Sequence, residues 1–305
     1  MPTVSAVITV FNRERLVRRA VDSALAQTRP PDEVVVVDDA STDGTAEAVR
    51  AIADPRVRLV RHRENLGGPE AMWTGFREAR GELVAPLDSD DEWLPPKLER
   101  QLAAVGGAPA EFCSYTQLVQ DDGLRRRVAP ARARRPDEAM SDYLLVERGL
   151  LQTGTLLLPR ALALATPPPE GMRRHLDTDL ALRLDARGTP LVFVPEALTL
   201  WHADFRADRL SRRPSADDDL AWLALRAGWI TSRARAHYLA TTVAVGQRGL
   251  AGRLRGLGWV ARARARGTVD TPEALRLAAK ALVTDAVYAP ALERLAGLRR
   301  RLARG

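Results

Sequence analysis

Three aspartates lie close together in the stretch ELVAPLDSDDEW, directly after an apolar segment: Asp88, Asp90 and Asp91. Carboxylates at this spacing repel one another unless a positive charge lies among them. Mg²⁺ or Mn²⁺ prefers such oxygen ligands, and the single cysteine, Cys113, excludes a cysteine-based zinc site. Because such a cation commonly keeps positions for substrate phosphates, the cluster predicts a site for a nucleoside diphosphate.

Two other apolar segments also end in a stretch that contains polar or acidic residues. Phe11 and Asn12 follow VSAVITV, and Asp38 and Asp39 follow EVVVV at the start of DDASTDGT. In open parallel sheets ligands bind beyond the carboxyl ends of the strands, so we expect all these groups to face one crevice. Local capping is the alternative: Asp91 would begin a helix in EWLPPKLERQL, and Asp38 with Asp39 would cap STDGTAEAV.

The segments that carry these groups alternate between two periodicities. Short β-branched runs predict strands, and segments with apolar residues at helical spacing predict helices. The predicted strands are 4–10, 33–41, 57–62 and 82–88, and the predicted helices are 14–28, 43–53 and 67–80. Such alternation is typical of an α/β fold with a mostly parallel sheet flanked by helices.

The pattern is looser after Gly106 and Gly107. The sequence predicts a strand in 111–123, a basic loop or edge segment in 124–136, and a strand then a short helix in 150–165. It further predicts a proline-rich loop in 165–175, a helix in 176–188, a strand pair in 190–202 and helices from about residue 206 onward. A helical C-terminal extension therefore follows the α/β part.

Charge is distributed unevenly along the 305 residues, whose net charge is +7. Residues 206–305 hold 20 Lys and Arg against 8 Asp and Glu, whereas residues 1–205 hold 26 against 31. The basic tail favours an anionic partner such as a membrane surface contacted by 251–305, with Trp259 at the interface. The alternatives are a general excess of arginine, or a helical subdomain that packs on the core or forms a homodimer.

Several classes of protein are not expected. No recognised nucleic-acid-binding module is present, so nucleic acid is not an expected partner. The N-terminus lacks the basic and apolar segments of a signal peptide, and no stretch approaches the roughly 20 apolar residues that a spanning helix needs. We therefore expect a cytoplasmic protein, either soluble or peripheral at the inner face of the plasma membrane.

Four motifs together resemble the family-2 glycosyltransferases of the GT-A fold. They are VSAVITVFNRERLVRRAVDSALAQT, EVVVVDDASTDGTAEAV, RHRENLGG and GELVAPLDSDDEWLPPKLERQL. Further on, LDTDLALRL resembles the second acidic motif of that family, and PEALTLWH with RLSRRPS resembles its closing segment. The resemblance covers about residues 3–215 and is specific through the combination of motifs.

The resemblance implies a Rossmann-like GT-A domain that transfers a sugar, with inversion, from a nucleoside diphosphate donor to a hydroxyl acceptor. UDP- or dTDP-sugars are favoured as donors, and the acceptor would be a glycan, a lipid-linked sugar or a natural product. Residues 1–105 would form the nucleotide-sugar-binding half, residues 106–205 the acceptor-binding half, and residues 206–305 the basic helical extension.

The family's functional residues carry over to matching positions. Residues around the nucleotide would be Thr9, Phe11, Asn12, Asp38, Asp39 and Asp88, with Asp39 on the base and Asp88 on the ribose. Asp90 would hold the metal, with Asp91 as a helper. Asp177 would be the general base that takes the acceptor proton, while Asp179, two residues on, turns away. The alternative for Asp177 is a stabilising acid in the first turn of a helix.

The closing segment adds three further candidates. Arg209 and Arg212, beside Ser211 and Arg213, would close over the diphosphate, because arginine pairs bidentately with phosphate. A solvated basic linker is the alternative. His202 would bind the metal or the diphosphate, or support a residue that does, although a lone histidine is more often structural.

Two departures from the family pattern concern specificity. Ala71, Met72 and Trp73 stand where a small residue, Arg and Asn are often found, which leaves the base less defined, and Leu176 replaces an acid before Asp177. A sugar nucleotidyltransferase is a rival function, but VFNRERL lacks the glycines of its phosphate loop. A catalytically silent nucleotide-sugar-binding protein is a second rival, which the combination of Asp39, Asp90 and Asp177 disfavours.

Overall fold

The computed structural model describes residues 1–106, 110–123, 125–172, 174–202, 215–247 and 249–282. The chain divides into two compact units, Met1–Leu210 and Ser211–Gly305. The predicted groups Arg209, Ser211, Arg212 and Arg213 lie outside the described residues.

The first half of the first unit alternates strands and helices, as the sequence pattern predicts. Its elements are β1 (Val4–Val10), α1 (Val17–Leu25), β2 (Glu33–Asp38), α2 (Thr45–Arg50), β3 (Val57–Arg61), α3 (Gly68–Glu78) and β4 (Leu83–Asp88). Strands β2 and β4 pair with β1 in parallel, and β3 pairs with β2 in parallel. The carboxyl ends of these four strands therefore lie at one edge.

The second half extends the sheet with strands of mixed direction. Its elements are β5 (Glu92–Trp93), α4 (Lys97–Ala104), β6 (Cys113–Asp121), β7 (Arg126–Ala129), α5 (Met140–Leu145), a 3₁₀ turn (Thr153–Thr155), β8 (Leu156–Pro159), α6 (Arg160–Leu164), α7 (Leu176–Ala186) and β9 (Leu191–His202). Strand β9 pairs with β6 in parallel, while the other pairings in this half are antiparallel. The described part of the unit forms a nine-stranded sheet in the order β3-β2-β1-β4-β8-β6-β9-β5, with β7 beside β6.

Burial explains why these segments form a sheet core. Strands β1 and β2 are buried almost throughout, because helices cover both of their faces. Helix α3 packs closely on β1 at Gly75, where an added Cβ would lie 2.2 Å from Cγ1 of Val7. This contact holds α3, and the loop that precedes it, close to the strands.

Two local features differ from the sequence-based predictions. Segment 190–202, predicted as a strand pair, is the single strand β9, whose register against β6 shifts around Gln117. The helix predicted to start after Asp91 begins instead at Lys97, because Glu92 and Trp93 pair with β9 and two prolines follow. Asp91 therefore does not cap a helix, and that alternative is wrong.

The second unit is helical in its described part. Its elements are α8 (Ala216–Leu225), α9 (Ser232–Tyr238), a π turn (Leu239–Val243), a 3₁₀ turn (Ala244–Gly246), α10 (Gly249–Ala265) and α11 (Thr271–Leu282). Gly256 of α10 faces Ala244, whose carbonyl oxygen would lie 3.0 Å from a Cβ at that position. A glycine in α10 thus permits close packing, although glycine lowers helix propensity.

The predicted membrane contact of the tail stays a prediction. Trp259 packs in part against the apolar core of the second unit, beside Val260 and Ala263. Of the helices that the structure describes, none is both long enough and apolar enough to cross a membrane.

Candidate active site

The register of the sheet makes the polar strand ends neighbours. Thr9 pairs with Asp88 on β4, and the next residue, Val10, pairs with Asp38 on β2. Phe11 follows β1 directly and is 42% exposed. The groups predicted to surround a nucleotide thus lie together at the carboxyl edge of β1, β2 and β4.

Asn12 joins the turn after β1 to the turn after β2. Its backbone is left-handed, with φ of 52°, a conformation that asparagine tolerates. Its Oδ1 accepts a 2.8 Å hydrogen bond from the main-chain nitrogen of Thr42, and its own nitrogen donates to Ser41 Oγ at 2.9 Å. Asp38 fixes the same turn, because its Oδ1 accepts from the nitrogen of Ser41 at 2.9 Å while Arg61 Nε lies 3.1 Å from its Oδ2. This contact lies in the turn and does not cap α2, which begins at Thr45 without a side-chain cap. A nucleotide contact of Asp38 stays a prediction.

Asp39 organises the loop between β3 and α3. Its Oδ1 accepts from the main-chain nitrogen of Leu66 at 2.8 Å and lies 2.8 Å from His62 Nδ1, and its Oδ2 accepts from the nitrogen of Gly67 at 2.8 Å. The carboxylate is buried, with 3% of the residue exposed. It therefore draws the NLGG segment to the strand edge, a role that the sequence did not indicate.

Gln152 is a partner of the acidic cluster that sequence reasoning missed. Its side-chain nitrogen donates to Asp88 Oδ2 at 2.9 Å and to Asp91 Oδ2 at 3.2 Å. The other oxygen of Asp91 accepts from the main-chain nitrogen of His202 at 3.0 Å. Part of the repulsion expected within the acidic cluster is therefore relieved by uncharged donors from elsewhere in the chain.

Arg19 brings positive charge to the remaining part of the cluster. Its Nη2 donates to the carbonyl oxygen of Asp90 at 2.6 Å, and its Nε lies 3.3 Å from Glu92 Oε1. The same Glu92 oxygen lies 2.6 Å from His202 Nε2. His202 is thus held beside the acids by both its main chain and its ring.

A divalent cation fits the oxygen donors of this cluster. Within the described residues, no group of three or more His, Cys, Asp or Glu is arranged to hold a metal by itself. Asp91 accepts hydrogen bonds at both oxygens, and Asp90 is half-buried. A hard cation held by one or two carboxylates and completed by substrate oxygens matches this donor set. The metal roles of Asp90, Asp91 and His202 stay predictions.

Asp177 lies in the first turn of α7, as predicted. Its Oδ1 accepts a 2.9 Å hydrogen bond from the main-chain nitrogen of Thr153. Burial raises the pKa of this carboxyl to about 6, although the hydrogen bonds from Thr153 act in the opposite direction. A carboxylate with a raised pKa accepts a proton more readily, which is the property that a general base requires.

Asp179 has a separate, structural environment. It is fully buried and forms an ion pair with Arg183 one turn later, with 2.8 Å between Oδ2 and Nε. Arg183 also donates to the carbonyl oxygen of Pro167 at 2.8 Å, which ties α7 to the preceding proline-rich loop. Asp179 thus turns away from Asp177, as predicted.

The two acidic groups are joined through consecutive residues. Gln152 holds Asp88 and Asp91, and Thr153 holds Asp177. The segment is anchored in turn, because Trp93 Nε1 donates to the next carbonyl, that of Gly154, at 2.8 Å. The acids after β4 and the acid of α7 therefore border one short stretch of main chain.

A family model described as Glycosyl transferase family 2 matches residues 5–177, more than half of the chain. The chain belongs to glycosyl transferase family 2. The match includes the acidic strand ends, the Gln152–Thr153 segment and Asp177. The family resemblance recognised from the sequence motifs is thereby confirmed.

Several curated relatives are named as glycosyltransferases or as polysaccharide biosynthesis proteins. The amylovoran biosynthesis glycosyltransferase AmsB of Erwinia amylovora is 29% identical over 75% of this chain and 79% of its own length. The succinoglycan biosynthesis protein ExoO of Rhizobium meliloti is 43% identical over 42% of this chain and 37% of its own length. The UDP-Glc:α-D-GlcNAc-diphosphoundecaprenol β-1,3-glucosyltransferase WfaP of Escherichia coli is 33% identical over 40% of this chain and 49% of its own length.

Solved structures confirm the GT-A fold. Residues 1–349 of S. aureus TarS in complex with UDP-GlcNAc superpose with a TM-score of 0.66 at 16% identity, covering 92% of this chain and 88% of that one. The mannosyltransferase PcManGT from Pyrobaculum calidifontis, in complex with GDP-Man and Mn²⁺, gives a TM-score of 0.52 at 23% identity, covering 97% and 80%. At these identities the likeness concerns the fold.

Proposed function

We propose that this family-2 glycosyltransferase moves a sugar from a nucleoside diphosphate sugar to a hydroxyl of a saccharide acceptor, with inversion at the anomeric carbon. The observation that carries the proposal is the pair of consecutive donors, Gln152 to Asp88 and Asp91, and Thr153 to Asp177. This pair supports a single hollow with the donor diphosphate on one side and the base on the other.

The nucleotide would lie along the carboxyl edge of the first strands. Phe11 would lie beside the base, Asp39 would accept from its N–H, and Asp88 would meet the ribose. The residues proposed to line this part are Thr9, Phe11, Asn12, Asp38, Asp39 and Asp88. Arg209 and Arg212 are proposed to close over the diphosphate.

Asp177 would act on the acceptor. An alcohol has a pKa far above neutrality, so a positioned carboxylate must take its proton as the oxygen attacks. The acceptor oxygen forms a bond to the anomeric carbon, the bond from that carbon to the diphosphate breaks on the opposite face, and the proton passes to Asp177. The nucleoside diphosphate leaves with the electron pair.

Asp90 would hold a divalent cation, Mg²⁺ or Mn²⁺, with Asp91 and His202 beside it. When bound, the cation supplies a Lewis acid that stabilises the charge that develops on the leaving diphosphate. Support comes from a structural neighbour that binds GDP-Man and Mn²⁺.

Relatives support the substrate class. TarS binds UDP-GlcNAc, WfaP is named for UDP-Glc and a lipid diphosphate-linked sugar, and AmsB acts in the biosynthesis of amylovoran. We infer a UDP- or dTDP-sugar as donor and a growing polysaccharide or lipid-linked sugar as acceptor. Residues 1–105 would bind the donor and residues 106–205 the acceptor. The basic extension would attach the enzyme to the inner face of the plasma membrane or form a homodimer.

The test is release of nucleotide from UDP- and dTDP-sugars by the purified chain, with and without Mn²⁺. Asp177→Asn and Asp90→Ala should each lower turnover by about 10²-fold or more, while the matched control Asp22→Asn, on the exposed face of α1, should not. Binding of the donor without any turnover would indicate a silent binding protein. Full turnover in both variants would refute the assigned roles.

A further inference from the structure

A second feature of the first unit is formed by residues other than those proposed to bind the donor. It is a pocket of about 280 Å³ lined by Gln120, Arg127, Ala129, Arg148, Gly149, Leu150 and Trp201. Its volume is close to the lower end of the range of roughly 300–1,000 Å³ typical of ligand pockets. A pocket of this size suits one sugar residue whose neighbours extend into solvent.

Three strands build one wall of the pocket in a single row. Gln120 of β6 pairs directly with Arg127 of β7 on one side and with Trp201 of β9 on the other. Residues opposite one another in a sheet project from the same face, so these three side chains form a continuous surface. Arg127 Nη2 donates to Gln120 Oε1 at 3.1 Å, which orients the guanidinium within the row.

The main chain of Arg148 and Gly149 forms the other wall of the pocket, and its conformation is fixed. Arg148 is left-handed, with φ of 58°, an uncommon state for a residue with a side chain. Gly149 follows, its nitrogen donates to the carbonyl oxygen of Tyr143 at 2.7 Å, and an added Cβ would lie 2.5 Å from the tyrosine ring. Strained backbone of this kind persists only where its surroundings hold it, and it is common at ligand sites.

The composition of the lining defines the ligand. Trp201 contributes an aromatic ring to the lining, and Arg127 and Arg148 contribute two positive charges, while none of the lining residues is acidic. Arginine recognises carboxylates and phosphates through paired N–H donors. A sugar that carries an anionic group matches both features.

The pocket lies next to the proposed base along the chain. Leu150 lines the pocket, and three residues later Thr153 donates to Asp177. Three residues of extended chain span at most about 11 Å. The Cα atoms of Leu150 and Thr153 therefore lie within about 11 Å of each other, which brings the pocket lining close to the residue that holds Asp177.

We propose that this pocket is an acceptor subsite for an anionic saccharide, with Trp201 stacked on a sugar ring and Arg127 and Arg148 on its carboxylate or phosphate. The proposal rests on the proposed function, because it names the acceptor class of that reaction. It adds three specificity-determining residues outside the donor site.

The test measures binding of simple glycosides to the full chain by saturation-transfer NMR and calorimetry. The probes are methyl β-glucuronide, which carries a carboxylate, glucose 1-phosphate, which carries a phosphate, and the neutral methyl β-glucoside. We expect at least one anionic probe to bind more tightly than the neutral one. The ratio of the two affinities, which is the advantage of the anionic probe, should fall about fivefold with Arg127→Gln or Arg148→Gln. It should also weaken at high salt.

Three further kinds of variant sharpen the result. Arg126→Gln removes the same charge one residue away, on the opposite face of β7, and should keep the advantage of the anionic probe. A double Arg127→Lys, Arg148→Lys variant restores charge and should recover part of the binding that a double glutamine variant loses. Trp201→Leu should weaken all three probes, and circular dichroism of each variant checks that it is folded.

Three outcomes would overturn the proposal. The three probes could bind equally, the anionic probes could still bind more tightly than the neutral one in the double glutamine variant, or no probe could bind at millimolar concentration. Nucleotide release from the donor is measured separately. Selective binding of anionic sugars without any donor turnover would leave the pocket in place and refute the proposed function. Transfer to neutral acceptors, with a KM that the arginine substitutions leave unchanged, would refute the role of the pocket and leave the proposed function in place.

Discussion

The main-chain nitrogen of Thr153 donates a 2.9 Å hydrogen bond to Oδ1 of Asp177. This bond fixes the orientation of the carboxylate, yet burial still raises its pKa to about 6. Burial therefore destabilises the ionised carboxylate by more than the hydrogen bond stabilises it. This balance affects both the stability of the protein and the rate of the reaction.

Asp177→Asn should stabilise the protein while it removes transfer. Asparagine keeps an oxygen that can accept from Thr153 but carries no charge to be buried. Because a pKa rise of about two units corresponds to roughly 3 kcal/mol before solvent screening, we expect the free energy of unfolding at pH 8 to increase by about 1–3 kcal/mol. Urea denaturation measures this change, and a large loss of stability would contradict the assigned environment.

The pH dependence of kcat/KM should report the ionisation of Asp177. Since the base must be ionised, kcat/KM should fall about tenfold per pH unit below pH of about 6 and be level above it. The free energy of unfolding should change with pH in the opposite direction to kcat/KM. Between the unfolded pKa of about 3.9 and the native pKa, the Asp177 carboxyl is protonated in the folded state and ionised in the unfolded state. Lowering the pH through 6 should therefore relieve the cost of burial at this group, and comparison with Asp177→Asn isolates the effect.

Gln152→Leu should destabilise the protein through Asp91. The substitution removes the donor to a carboxylate of which only 1% is exposed, and a buried group left short of a hydrogen bond costs about 1–3 kcal/mol. A double-mutant cycle with Asp91→Asn should give a coupling energy of about 0.5 kcal/mol or more. Additive effects would mean that the contact carries no energy.

The rate at which a reagent labels Cys113 should report the unfolding of the first unit. It is the only cysteine, it is fully buried, and burial raises the pKa of its thiol to about 12. Because the thiolate is the reactive form, a thiol reagent should label the native protein no faster than the first unit unfolds. Labelling rates across a urea series measure this, and rapid labelling in buffer would contradict the position of β6.

The sequence was most informative where structure is local. The bounds of β1 match the β-branched run 4–10, and the acidic strand ends meet at one edge because parallel strands must align their carboxyl ends. Asp177 in the first turn of α7 was found through the family motif.

Gln152 could not be found in this way. Its contacts to Asp88 and Asp91 join residues 64 and 61 positions apart, from a segment without regular periodicity. The role of Asp39 in holding Leu66 and Gly67 was hidden for a similar reason, because main-chain donors leave no trace in residue type. Long-range pairings of this kind depend on tertiary packing rather than on local pattern.

The adjacency of Gln152 and Thr153 couples the acids after β4 to Asp177 through the main chain. One peptide unit separates the group that steadies the acids after β4 from the group that aims Asp177, and Leu150 lies just ahead of both. A displacement of this peptide unit would therefore reach both contacts at once, so the acids after β4 and the acid of α7 could not be repositioned separately.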